Sequence, residues 1–262
     1  MFDPIQIAHN AKRWVIKVGT SELTEGQERK VTPGRVEWIA SQVVSLWKMD
    51  KEAILVTSGA IGIGMGVLNL KTRPKELAQL QAAAATGQGK LMQWYTREIE
   101  KETGCHAAQV LLTREDLEDP KRKLNVQATL ETLLKARIIP IINENDTVST
   151  EEIRYGDNDI LSAHVAVLMK AEILLILTDV DKLIGPKGDP LNHVPNVTWE
   201  LEQAARGTDK SSSVGGMKTK LEAAKLAIAS NIPLAVMTSS GSMKLIKGQA
   251  NAEQHGTWFV HE

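Results

Sequence analysis

Ile138-Ile139-Pro140-Ile141-Ile142-Asn143-Glu144-Asn145-Asp146 runs from an apolar, β-branched stretch straight into a block of carboxylates and carboxamides. The first half reads as a short strand buried on both faces, the kind that occupies the middle of a parallel sheet. The second half then falls at the strand's carboxyl end, where side chains project over a crevice rather than into a core. A second cluster, Gly156-Asp157-Asn158-Asp159, follows after a short interval. Acidic and amide groups packed this densely at strand ends are expected to hold a polar small molecule or a metal.

The same alternation extends in both directions. Strand-like runs occur at 14–18, 53–57, 109–112, 138–142, 173–177 and 233–237, with helical patterns at about 76–101, 122–136, 160–170 and 217–230. Between the first two strands, Thr32 as N-cap and Pro33 at the first helical position start another helix. Its apolar residues Val36, Ile39, Ala40, Val43, Val44 and Trp47 recur at three- and four-residue steps, so one face is meant for the sheet. Glu151 to Tyr155 reads as a hairpin near the site. Strands alternating with helices predict an α/β fold whose parallel sheet is covered on both faces. No repeat, low-complexity tract or Gly/Ser linker divides the chain, so residues 1–262 are expected to form one domain.

Composition removes several classes. Lys plus Arg number 31 against 32 Asp plus Glu, and a net charge of −1 gives no reason to expect nucleic acid. No apolar run reaches the roughly 18 residues of a membrane span, and Met1-Phe2-Asp3-Pro4 lacks the order of a signal peptide. Cys105 is the single cysteine, so no internal disulfide forms; a buried thiol and a reducing, cytoplasmic setting are expected. The 6 histidines are scattered without zinc-ligand spacing, and no metal held by the protein alone is expected.

Three segments carry chemistry. In Val15-Ile16-Lys17-Val18-Gly19-Thr20-Ser21, a lysine inside an apolar strand is costly unless its ammonium meets an anion; the bland alternative is an edge-strand lysine snorkelling to solvent. In Thr57-Ser58-Gly59-Ala60-Ile61-Gly62, small residues crowd a strand-to-helix turn, so that backbone N–H groups and the Ser58 hydroxyl can approach an anion. Gly62, Gly64 and Gly66 imitate a dinucleotide fingerprint, but they are offset from the strand end and no acidic residue closes a following strand. In Val214-Gly215-Gly216-Met217-Lys218-Thr219-Lys220, two glycines open a helix with lysines in its first turns, an arrangement that disfavours itself unless an anion is present. Of Lys218 and Lys220, one is expected on a solvated face. Separated lysines, Gly-rich anion turns and no nucleophile–base pair point to phosphoryl transfer carried by positioning and charge neutralisation.

These segments, with Leu-Leu-Thr-Arg-Glu-Asp at 111–116, Leu-Thr-Asp at 177–179 and both acidic clusters, resemble the amino acid kinase family in order from about residue 13 to Phe259. The paired Asn-Glu-Asn-Asp and Gly-Asp-Asn-Asp resemble its members that act on glutamate. The resemblance implies a three-layer αβα sandwich around a mainly parallel open sheet. It also implies ATP- and Mg²⁺-dependent phosphorylation of the L-glutamate γ-carboxylate, the first step of proline biosynthesis. By the same resemblance Lys17 and Lys220 stabilise the transferred phosphoryl group and Asp159 holds them. Ser58, Asp146 and Asn158 bind glutamate with Asn143 nearby; Lys17, Thr178, Asp179, Val214, Gly215, Gly216, Met217, Lys218, Thr219 and Lys220 contact ATP. By charge, Asp146 suits the substrate's ammonium better than its carboxylates. Proline as feedback inhibitor, a homodimer or homotetramer, and handover of the unstable product to glutamyl phosphate reductase are implied as well.

Two segments depart from the family pattern. Leu183-Ile184-Gly185-Pro186 stands where many relatives continue with a Leu-Tyr-Thr-like segment, and Ser213-Val214 precedes the Gly-Gly pair where a Thr or Gly is common. The C-terminal PUA domain of many relatives is expected to be absent. Another carboxylate or carbamate kinase of the same fold stays open as an alternative. So does a silent amino-acid sensor, which would need none of Lys17, Asp159 and Lys220.

Overall fold

The computed structural model describes residues 4–25, 30–149, 158–206, 216–239 and 256–260. Helix α1 (Pro4–Asn10) leads into strand β1 (Arg13–Val18), then come the short pairs β2 (Thr24–Glu25) and β3 (Lys30–Val31). Helix α2 (Pro33–Lys48) precedes β4 (Glu52–Val56), and α3 (Ala60–Val67) and α4 (Leu77–Ile99) precede β5 (His106–Leu112). Then follow α5 (Arg114–Glu118), α6 (Pro120–Lys135), β6 (Ile138–Glu144), α7 (Asn158–Leu168) and β7 (Ile173–Thr178). The chain continues through β8 (Leu183–Ile184), β9 (Pro190–Leu191), β10 (His193–Val194), α8 (Trp199–Arg206), α9 (Met217–Ala229), β11 (Leu234–Ser239) and β12 (Thr257–Val260).

Eight strands form one sheet in the order β10-β12-β11-β7-β1-β4-β6-β5. From β11 to β5 every pairing is parallel; β12 runs antiparallel to β11 and turns that edge around. From β1 the chain steps to β4, out to the edge at β5 and back to β6, whereas β7 and β11 lie on the other side. The direction of travel therefore reverses at β1, and ligand crevices open beyond the carboxyl ends of strands at such a point.

Period-two alternation sends each strand's side chains into two apolar layers. Trp14, Ile16 and Val18 of β1 pack with α2 and α4, through Val43, Leu91 and Tyr95 among others. Val15 joins Ile54, Leu174 and Ile176 against α7 and α9, through Ala163, Ala166 and Ala224. Helices on both faces bear out the sandwich. The Thr32 side chain accepts from the Arg35 amide and Pro33 opens α2, the start signal read from the sequence. The buried strand Thr257–Val260 lies outside the runs that alternation picked out. Cys105 is buried, and burial pushes its thiol up to about 11. Among the described residues no helix is long and apolar enough to cross a membrane. The hairpin expected at Glu151 to Tyr155 lies outside the described residues.

Candidate active site

Lys17 sits near the end of β1, flanked in register by Val56 of β4 and Ile176 of β7. β1 is thus central, and the edge-strand reading of Lys17 does not hold. Its side chain turns toward α7 and α9, is only 4% exposed, and meets Oδ1 of Asp159. Asp159 lies in the first turn of α7, where the helix dipole favours a negative charge. Its other oxygen, Oδ2, stands 3.3 Å from Lys220 Nζ and accepts from the Thr219 hydroxyl at 3.0 Å. One fully buried carboxylate thereby holds two cations from separate elements. A Cβ at Gly19 would stand 3.3 Å from Lys17 Nζ, so glycine leaves the lysine's tip clear.

Beside the lysines lies a network of amides and hydroxyls. The two N–H groups of Asn158 Nδ2 are shared among three acceptors, the Thr57 carbonyl at 2.6 Å, Ser58 Oγ at 2.8 Å and Asn143 Oδ1 at 3.0 Å. Asn143 Oδ1 also accepts from the Glu144 amide at 2.9 Å, and Asn143 Nδ2 donates to Gln88 Oε1 at 2.7 Å. Deeper still, Thr57 Oγ1 and the Tyr95 hydroxyl share a 2.8 Å hydrogen bond, and burial raises the Tyr95 phenol above its ordinary value. Asn158 Oδ1 is buried and has no hydrogen-bond partner among the described residues. A buried carbonyl oxygen left bare costs about 1–3 kcal/mol, so this atom is an acceptor in want of a donor.

The strand-to-helix turn after β4 is shaped by glycine. Gly59 adopts φ +101° as the residue before α3, a conformation that L side chains rarely take. Gly64 and Gly87 are glycine for a different reason. A Cβ on Gly64 would fall 1.7 Å from the Ala83 carbonyl oxygen, and one on Gly87 1.9 Å from that of Ala60. The false dinucleotide fingerprint is therefore partly a close crossing of α3 on α4. That crossing carries Gln88 to the site.

Asp146 lies just beyond β6, in a cleft of about 290 Å³ that Gln88, Glu144, Asn145 and Ala60 help to line. Burial, and then the neighbouring Glu144, push its carboxyl up to about 7 against the pull of Arg73. The Asn145 amide donates to the Leu112 carbonyl at 2.8 Å. The Leu-Leu-Thr-Arg-Glu-Asp segment thus anchors this loop, while Thr113 and Asp116 close a capping box on α5.

At the other side of β1, Thr178 is buried at the end of β7, its hydroxyl 3.3 Å from Asp179 Oδ1; Asp179 is exposed. Gly216 precedes α9 with no side-chain cap among the described residues, and the first N–H groups of α9 have no partner within the helix itself. Lys218 turns to solvent and pairs with Glu222 at 3.5 Å, whereas Lys220 joins the site. Val214 and Gly215 lie outside the described residues. The structure thus gathers Lys17, Ser58, Asn143, Asn158, Asp159, Thr219 and Lys220, with Asp146 and Thr178 at the margins.

Residues 12–238 match the model of the amino acid kinase family. A glutamate 5-kinase of Carboxydothermus hydrogenoformans is 42% identical over 97% of this chain and 69% of its own length. Glutamate 5-kinases of Moorella thermoacetica (45%, covering 95% and 67%) and Symbiobacterium thermophilum (43%, covering 97% and 97%) are similar too. Among solved structures, the carbamate kinase from Giardia lamblia bound to AMP-PNP superposes with a TM-score of 0.64 at 14% identity, over 97% of this chain and 99% of that one. The UMP kinase from Bacillus anthracis gives 0.60 at 14%, over 96% and 97%; at such identities the likeness is one of fold. The chain belongs to the amino acid kinase family, in its glutamate 5-kinase branch.

Proposed function

We propose that this chain transfers the terminal phosphoryl group of ATP to the γ-carboxylate of L-glutamate, giving γ-glutamyl 5-phosphate, the first step of proline biosynthesis. The observation that carries the reading is Asp159 between Lys17 and Lys220, beside the amide cluster of Asn143 and Asn158. The reaction brings a carboxylate onto an anionic phosphate chain. Two unit charges about 4 Å apart repel by about 4 kcal/mol at an effective dielectric constant near 20. Two ammonium groups at the junction offset that repulsion, most of all for the charge on the group in flight. Asp159 keeps both in place without touching the reacting atoms.

Glutamate binds through Ser58, Asn143, Asn158 and Asp146. Its α-ammonium supplies the donor that Asn158 Oδ1 wants and the cation that favours the ionised form of Asp146. ATP lies over the carboxyl end of β7 and the start of α9, where Thr178, Asp179 and the segment from Val214 to Lys220 meet it, and where a helix N-terminus suits a phosphate. Mg²⁺ bound to the phosphates of ATP would shield part of their charge.

Feedback inhibition by proline, a homodimer or homotetramer, handover to glutamyl phosphate reductase and a cytoplasmic setting complete the proposal, supported by the family resemblance alone. The test is ATP-dependent γ-glutamyl hydroxamate formation with Mg²⁺ and hydroxylamine, comparing glutamate with N-acetylglutamate, aspartate and carbamate. A glutamate-only signal is expected. Turnover of another acceptor but not glutamate would overturn it, and equal rates with and without millimolar proline would remove the inhibitor.

A further inference from the structure

We propose that Gln88 of α4 is a positioning residue for the acceptor site: it holds Asn143, and through it Asn158, so that Asn158 presents its bare carbonyl oxygen to the substrate's ammonium. The inference rests on the glutamate reading above. Two backbone groups of unambiguous polarity orient the chain of amides. The Glu144 N–H can only donate, which pins Asn143 Oδ1 toward it at 2.9 Å. The Thr57 carbonyl can only accept, which pins Asn158 Nδ2 toward it at 2.6 Å. Asn143 Nδ2 is then forced to point the other way, into α4, where Gln88 Oε1 receives it at 2.7 Å.

Asn143 is 2% exposed, so without Gln88 its Nδ2 would lose the acceptor that now receives it. Turning the amide over would set Nδ2 against the Nδ2 of Asn158 and against the Glu144 N–H, donor against donor. The relaxed alternative is a displaced Asn143, and Asn158 then loses the 3.0 Å bond to Asn143 Oδ1. Gln88 reaches this position because Gly64 and Gly87 let α4 lie close on α3. It touches no reacting atom.

The test compares glutamate with glutarate, which lacks the α-ammonium, in wild type and Gln88→Met. Wild type is expected to favour glutamate in kcat/KM. Gln88→Met, close in volume but without an acceptor, is expected to lower the glutamate-to-glutarate ratio by about tenfold, with the KM for ATP unchanged. A purely packing role would lower both acceptors alike, and an unchanged ratio or a parallel fall would overturn the inference. Gln88→Glu, which keeps an acceptor oxygen in place, is expected to keep or raise the ratio even if Gln88→Met does not fold; a lower ratio there would also overturn it. Wild type that turns over neither acid would instead overturn the glutamate reading and this inference with it. Wild type with no preference for glutamate would sink the inference alone.

Discussion

Lys220 Nζ lies 3.3 Å from Oδ2 of Asp159, a carboxylate with no solvent exposure. The lysine comes from α9 and the acid from α7, so packing of two helices sets the position of the charge proposed to meet the transferred group. Lys220→Ala is expected to reduce kcat by about 10²–10³ while leaving the glutamate KM within about threefold, as for loss of one electrostatic donor aimed at a transition state. Steady-state kinetics with both substrates checks this.

Removing the acid should differ in kind. Asp159→Asn takes away the carboxylate that pairs with both Lys17, 4% exposed, and Lys220. Breaking a buried pair by deleting one partner costs about 3–5 kcal/mol. Asp159→Asn is expected to unfold in urea with a lower midpoint than Lys17→Met, which leaves Asp159 still paired with Lys220. ATP should then recover more stability in Asp159→Asn than in wild type, because its phosphates replace the lost anion.

If Asp146 meets the substrate's ammonium as proposed, binding at the acceptor site is expected to depend on pH. Its carboxyl is pushed up to about 7 by burial and Glu144, and only the ionised form attracts an ammonium. The competent fraction rises from about a tenth at pH 6 to about nine-tenths at pH 8, so the glutamate KM should be about tenfold higher at pH 6. For folding the sign runs the other way. A carboxyl raised above its unfolded value contributes stability below the ordinary carboxylate range and loses it as pH rises toward 7. Asp146→Asn should therefore gain melting temperature over wild type between pH 5 and pH 8, measured without substrate.

Four glycines separate tight packing from open space. Gly64→Ala and Gly87→Ala would drive a methyl group into a carbonyl of the facing helix, and each is expected to cost about 1–3 kcal/mol or more. Gly66→Ala and Gly89→Ala meet nothing within 4 Å and should stabilise by about 0.4–1 kcal/mol. Denaturant midpoints of the four variants test the division.

Much of this architecture is legible in the chain because its causes are local. Short apolar runs such as residues 173–177 read as buried strands by their length and spacing, and Thr32-Pro33 starts a helix through its own side-chain cap and fixed φ. The lysine in β1 hints at an anion from sequence alone, and the central place of β1 in the sheet then excludes the edge-strand alternative. Gln88 is not legible in the same way. A polar residue in the run Ala82-Ala83-Ala84-Ala85-Thr86-Gly87-Gln88 reads as one more solvated helical position, and only the α3–α4 crossing turns it inward. The shifted carboxyl of Asp146 likewise depends on burial and on Glu144 facing the same cleft. Strand Thr257–Val260 escapes the alternation because four residues carry too little pattern on their own.

The order of the sheet also has a consequence for how the protein is made. β1 pairs on one side with β4, some forty residues on, but on the other side with β7, where Trp14 meets Ile173. While the ribosome is still adding α7, the nascent chain carries an apolar parallel edge with no neighbour, and Lys17 in it has no carboxylate to meet. Long-range parallel pairings form late and leave such edges open to wrong partners. The surroundings of Lys17 are thus completed only in the second half of synthesis, and a chain cut short before β7 is expected to be prone to aggregate.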